Sequence, residues 1–108
     1  MSTETRKISF STEEVIQAVS KHRRDEKQPL PESRIRGMKV EDGVVPKFTL
    51  QLEDRGDGKT GIELRPAEVA VALIKFCRLK RIPLPKKASK SLGLENHHVT
   101  LILFLDNG

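Results

Sequence analysis

The chain has no tryptophan, no tyrosine and only four phenylalanines in 108 residues. Proteins that grip single-stranded nucleic acid usually do so by stacking bases on aromatic side chains. Here Phe10, Phe48, Phe76 and Phe104 all fall in apolar-patterned segments that a core claims first. A single cysteine, Cys77, excludes an internal disulfide and points to a reducing compartment, the cytoplasm. Long apolar runs are missing as well. The longest, residues 69–74 and 99–105, fall far short of the ~20 residues that span a bilayer. The polar start, residues 1–6, lacks the apolar stretch of a signal peptide. A glycine-rich phosphate loop, a pair of acids and a nucleophile–base constellation are also missing. The expectation is a cytoplasmic protein that crosses no membrane, uses no cofactor and is not an enzyme.

Apolar residues make up 36% of the chain and charged residues 32%. The apolar residues are clustered, which separates this sequence from a disordered one, and the length suits one domain. The formal net charge is +5 and the pI is near 9.6, a balance that favours an anionic partner.

The strongest internal signal is a repeat. Sliding the chain against itself by 54 residues without a gap places Ile8 on Ile62, Glu14 on Glu68, Val15 on Val69, Ala18 on Ala72 and Lys21 on Lys75. Arg24 falls on Arg78, and Pro29-Leu30-Pro31 falls on Pro83-Leu84-Pro85. Glu41 and Val45 land on Glu95 and Val99, which makes eleven identities over residues 6–50, where chance gives roughly three. Each copy reads as a short strand (6–10 and 60–64), a helix and a closing strand (46–52 and 99–105). Ser11-Thr12-Glu13-Glu14 is a capping box, and in the second copy Pro66 takes the first helical position with Glu68 in the first turn. The first helix carries its apolar stripe at Val15, Ala18, Val19 and His22; the second repeats it at Val69, Ala72, Leu73 and Phe76. A residue before proline leaves the α region, so Gln28 and Ile82 are the expected helix ends.

These elements predict an α+β fold, an internally duplicated βαβ-βαβ unit. The expected form is a four-stranded, mostly antiparallel sheet with both helices on one face, ferredoxin-like or a related pseudo-twofold arrangement. One domain would comprise repeats 6–52 and 60–106, joined by the polar, glycine-rich turn 53–59. Residues 99–105 are apolar at every position but Thr100, which suits a strand buried on both faces. At a sheet edge it would need covering by a second copy, hence an expected homodimer; otherwise the two long strands lie centrally.

Candidate functional residues are few. The paired Pro-Leu-Pro segments could serve as extended ligands, but a helix stop with a leucine plug explains them better. His97-His98 and His22 have no ligand partners at metal spacing. Cys77 lies on the apolar helix and reads as a core thiol. The duplicated basic stripe Lys21, Arg24, Lys27 and Lys75, Arg78, Arg81 is the one candidate site, for contact with a polyanion; Arg23, Lys80, Lys86, Lys87 and Lys90 add to it. Against it stands a solvated helix face whose cations offset the helix dipole. The sequence reading is a small non-catalytic binding or adaptor domain working through a protein partner. A nucleic-acid-binding protein that uses the stripe is the alternative.

Overall fold

The computed structural model describes residues 3–106. Its elements run β1 (Thr3–Phe10), α1 (Thr12–Asp25), a single 3-10 turn (Glu32–Arg34), β2 (Ile35–Glu41) and β3 (Lys47–Leu52). Then come β4 (Gly61–Leu64), α2 (Pro66–Leu79), β5 (Ser89–Glu95) and β6 (His98–Asp106). The α+β class expected from sequence is observed, but each half is βαββ rather than βαβ. Instead of one four-stranded sheet there are two three-stranded antiparallel sheets, ordered β1-β6-β5 and β2-β3-β4. The missed strands are β2 and β5. Ser89-Lys90-Ser91 and Gly93 have poor strand propensity, and β2 carries Gly37 and alternate charges. Both strands form only because each is the outer arm of a hairpin.

Each sheet is completed by a strand from the other half of the chain. β1 pairs with β6, placing Phe10 opposite Val99, and β4 pairs with β3, placing Leu64 opposite Phe48. The two long strands therefore lie centrally. An apolar strand at a bare edge, the reason for expecting a homodimer, does not occur here. Inward side chains alternate in both central strands: Phe48, Leu50 and Leu52 in β3, and Val99, Leu101 and Leu103 in β6, are all buried.

The helices obey the 54-residue offset from end to end, 12–25 against 66–79, as do β2 and β5, 35–41 against 89–95. The central strands do not. Met38 pairs with Leu50 and Leu92 with Leu101, so β6 stands 51 residues beyond β3. The cause is loop length. Five residues, 42–46, join β2 to β3, whereas Asn96-His97 alone joins β5 to β6. Asn96 and His97 both have positive φ, 49° and 65°, as a two-residue type I′ hairpin requires. The ungapped register is thus corrected by three residues at this turn, and Val45/Val99 and Phe48/Ile102 are not equivalent positions.

The helices begin as the sequence indicates. Ser11 Oγ accepts from the Glu14 amide at 3.1 Å, and Glu14 Oε1 accepts from the Ser11 amide at 2.9 Å. They end three residues before Gln28 and Ile82. Gln28 N–H donates to the Arg23 carbonyl and Lys27 N–H to that of Arg24; Ile82 and Arg81 repeat both bonds to Cys77 and Arg78. This Schellman closure puts Lys27 (φ 60°) and Arg81 (φ 58°) in the left-handed region, where glycine is the usual occupant. Proline enforces the exit, but the closure sets the end.

Ala18, His22, Ala72 and Phe76 line the groove between α1 and α2, and Ala18, Ala72 and Phe76 belong to the shared core. Among the described residues the buried apolar side chains of both helices and both sheets, Leu52 apart, form one cluster. Phe10 and Phe76 meet edge to face, with centroids 6.2 Å apart, an arrangement that adds ~0.5–1.5 kcal/mol to simple burial. The connection between the halves is tied down by Arg34. Its guanidinium donates to Asp57 at 2.8 and 3.0 Å and to the carbonyls of Glu53 and Lys59. That pairing, first by hydrogen bond, holds the Asp57 carboxyl well below its usual range.

A left-handed backbone costs a non-glycine residue ~1–2 kcal/mol, and glycine returns ~0.4–1 kcal/mol of that through the unfolded chain. Lys27→Gly should therefore raise the urea midpoint by the equivalent of ~0.5–1 kcal/mol, and Lys27→Ala should not; equal midpoints would refute the strain. Arg34→Met should release residues 53–59 and speed tryptic cleavage after Arg55 and Lys59. Because the folded Asp57 pKa is depressed, the clamp is fully present above the ordinary value near 3.8 and is lost as pH falls through the lower folded value. The Lys59 amide, bonded to Asp57, should keep its chemical shift at pH 4 and move only in stronger acid.

Candidate basic interface

Charge sorts the two halves. Residues 15–40 and 69–94 each hold seven Lys or Arg. The first span also holds Asp25, Glu26 and Glu32; the second holds no acid at all. Its +7 exceeds the +5 of the whole chain, leaving the remainder at −2. The positions equivalent to the three acids are Leu79, Lys80 and Lys86.

Those three acids decide the fate of the predicted stripe. Lys21 pairs with Asp25 at 3.4 Å, Arg24 with Glu32 at 2.6 Å, and Lys75 with Glu26 at 3.7 Å. Lys75 Nζ also lies 3.1 Å from His22 Nδ1. Lys21 and Lys75 both line the groove between the helices. Lys27 and Arg81 sit at the two helix closures, and Arg78 lies on the last turn of α2. Among the described residues Lys27, Arg78 and Arg81 have no ion pair within the chain. Of the six, Lys21, Arg24 and Lys75 are held in ion pairs and Lys27, Arg78 and Arg81 are not. Exposed ion pairs are worth little to stability, but each supplies the cation with a carboxylate that an outside anion must displace.

Three further cations without an ion pair among the described residues follow in sequence. Lys86 follows Pro83-Leu84-Pro85, Lys87 is next to it, and Lys90 lies in β5 with its Nζ 3.1 Å from the Ala88 carbonyl. Arg78, Lys86 and Lys90 rim a cleft of about 270 Å³ whose floor is Ile74, Ile82 and Leu84. The same place in the first half is a smaller cleft of about 200 Å³, lined by Ser20, Arg24, Glu32 and Ile16 among others. There the ion pair occupies the mouth. The sequence stripe contained Arg78 and Arg81. It missed the apolar floor, because Ile82 and Leu84 belong to a segment read as a helix stop.

A larger and more balanced cleft, about 550 Å³, lies where the end of α1 meets the start of α2. His22, Arg23, Glu63, Arg65 and Glu68 line it, and Arg23 and Glu68 neutralise each other there through a two-bond pair. Charge gives it no preference for an anion. Among the described residues no cluster of His, Cys, Asp or Glu has metal-binding geometry. His97 belongs to the type I′ turn, and His98 Nδ1 lies against the Asn96 carbonyl at 2.9 Å.

Cys77 is wholly buried in α2. Desolvation pushes its thiol pKa up, and the Glu14 carboxylate pushes the same way, so the nucleophilic thiolate is doubly disfavoured. The native protein should give no colour with a thiol-reactive disulfide reagent at neutral pH and should react with one equivalent once denatured. Rapid reaction in the native state would contradict this burial.

No helix among the described residues is long and apolar enough to cross a membrane. Comparison with protein-family models, with curated proteins and with solved structures finds no match to this chain.

Proposed function

We propose that the chain is a non-catalytic cytoplasmic binding domain, one domain of two repeats (6–52 and 60–106), that takes an acidic protein partner on the basic surface of its second half. The observation that carries this reading is the sorting of charge. Residues 15–40 and 69–94 hold equal numbers of cations, yet acids lie only in the first span, where Asp25 and Glu32 pair with Lys21 and Arg24; among the described residues Arg78, Arg81, Lys86 and Lys90 have no ion pair. Like charges held together without counterions attract an outside anion and speed its association. The cations surround aliphatic side chains, with no acid–base partner beside them, which favours holding a ligand over transforming one.

Nucleic acid is the second reading, since the same cations could meet phosphates. Protein is favoured over it because Phe10, Phe48 and Phe76 are buried, and Phe104, which is half-exposed against the sequence expectation, alternates to the opposite sheet face from Leu103 and its cross-strand partner Lys90, so no stacking platform accompanies the cleft. Fluorescence anisotropy with labelled polyglutamate and with a duplex DNA of equal charge compares the two directly. Polyglutamate should bind at low salt. Binding should be lost in an Arg78→Ala, Lys86→Ala, Lys90→Ala triple variant and kept in a Lys21→Ala, Arg24→Ala, Lys75→Ala variant. Wild-type binding by the first variant refutes the proposal. Tighter binding of DNA favours the second reading. A duplex held by all six stripe residues would give a log–log salt slope of about −5, and one held by the three unpaired residues about −3.

A further inference from the structure

We propose that the cleft between the end of α2, the Pro83-Leu84-Pro85 segment and β5 recognises a short acidic peptide segment bearing one large aliphatic side chain. The proposal rests on the reading of the second-half surface as the binding surface and adds what the partner must present there. Ile74, Ile82 and Leu84 form the floor, and Arg78, Lys86 and Lys90 form the rim. At about 270 Å³ the space lies below the ~300–1,000 Å³ of small-molecule pockets, yet it accommodates one leucine-sized side chain. A peptide that inserts such a side chain brings its neighbouring carboxylates level with three cations. Burial of the apolar group supplies affinity, and the charges supply register.

The first half provides the internal control. Position by position, Ile74, Arg78, Ile82 and Lys86 correspond to Ser20, Arg24, Gln28 and Glu32. There Glu32 closes on Arg24 at 2.6 Å, so the acid that the second cleft lacks is built into the first. At Lys86 that acid is replaced by a like charge beside Arg78. Both halves share the Pro-Leu-Pro exit and the Schellman closure, although in the first half Gln28 and Leu30 line other clefts. The difference between them is therefore one of side-chain chemistry on a common backbone. An aliphatic floor offers no face on which a base could stack, which sets a peptide above nucleic acid as the occupant.

The probe is a fluorescein-labelled peptide with one leucine between two pairs of glutamates, compared with versions carrying alanine for the leucine or lysine for the glutamates. Replacing the leucine should weaken binding about tenfold or more, and reversing the charges should abolish it. Lys86→Glu, which installs the first half's ion pair, should cost at least about tenfold at low salt. Ile82→Gln should erase the preference for leucine over alanine while leaving salt-dependent binding of both. If the leucine and alanine peptides bind wild type equally, the cleft proposal falls and the basic surface stands. If neither binds at low salt, both fall. Displacement of the peptide by duplex DNA at lower concentration, with the same loss in both variants, assigns the surface to nucleic acid and overturns the peptide. Should a variant not fold, methyl chemical shifts of the wild-type protein decide. Ile74, Ile82 and Leu84 must move on titration, and movement confined to other methyls refutes the site.

Discussion

Neither half of this chain can finish a sheet alone. The hairpin β2-β3 needs β4, and the hairpin β5-β6 needs β1; without that exchange each central strand would present a row of unpaired amides and carbonyls on one side. The exchange also fixes the helices. Each begins two residues after the donated strand ends, α1 after Phe10 and α2 after Leu64, so strand pairing between the halves brings α1 and α2 together over a shared core. Phe10, from a strand of the first half, then meets Phe76, from the helix of the second. The folding unit is therefore the pair of halves, and the non-local pairing raises the contact order relative to two independent hairpin domains.

Helices, turns and strands differed in how plainly the sequence announced them. α1 and α2 were legible because three local signals agree at each: a start (Ser11 with Glu14, or Pro66), a stripe at helical spacing and a proline beyond the end. β2 and β5 were not legible, since Ser89, Ser91, Gly93 and Gly37 carry no local preference for a strand, and the hairpin partner supplies it. The tight turn before β6 was hidden for a related reason. A type I′ turn is announced by Asn-Gly or Asp-Gly, and here His97 occupies the position where glycine is usual. Once the turn went unrecognised, the ungapped alignment ran on into the last strand, where any two apolar strands yield chance matches such as Val45 with Val99.

The candidate surface was legible in part. Basic residues at matched positions were visible, and Arg78 and Arg81 were among them. What spacing alone could not show was which cations would find acids. Asp25, Glu26 and Glu32 stand where the second segment has Leu79, Lys80 and Lys86, so only the first segment carries acids among its cations. Lys80 adds a separate local use, with its ammonium over the ring of the buried Phe76, 5.5 Å from its centroid, a cation–π contact. Counting charges by sign within each copy, rather than cations by position, is the reading that separates the two faces.

The exchange of strands has one more consequence, for whatever is joined to this domain. Thr3 lies directly across from Asp106 in the β1–β6 pair, so the two ends of the described chain are cross-strand neighbours ~5 Å apart. In the same corner Thr5, Phe104 and Ser89 stand in a row over three strands, a width of ~10 Å, and Lys90 on the cleft rim follows Ser89. A tail or fusion leaving by either route is tethered next to that rim. At such a short leash its effective concentration is high, so an acidic appendage would compete with an outside ligand from within, and a basic one would repel it.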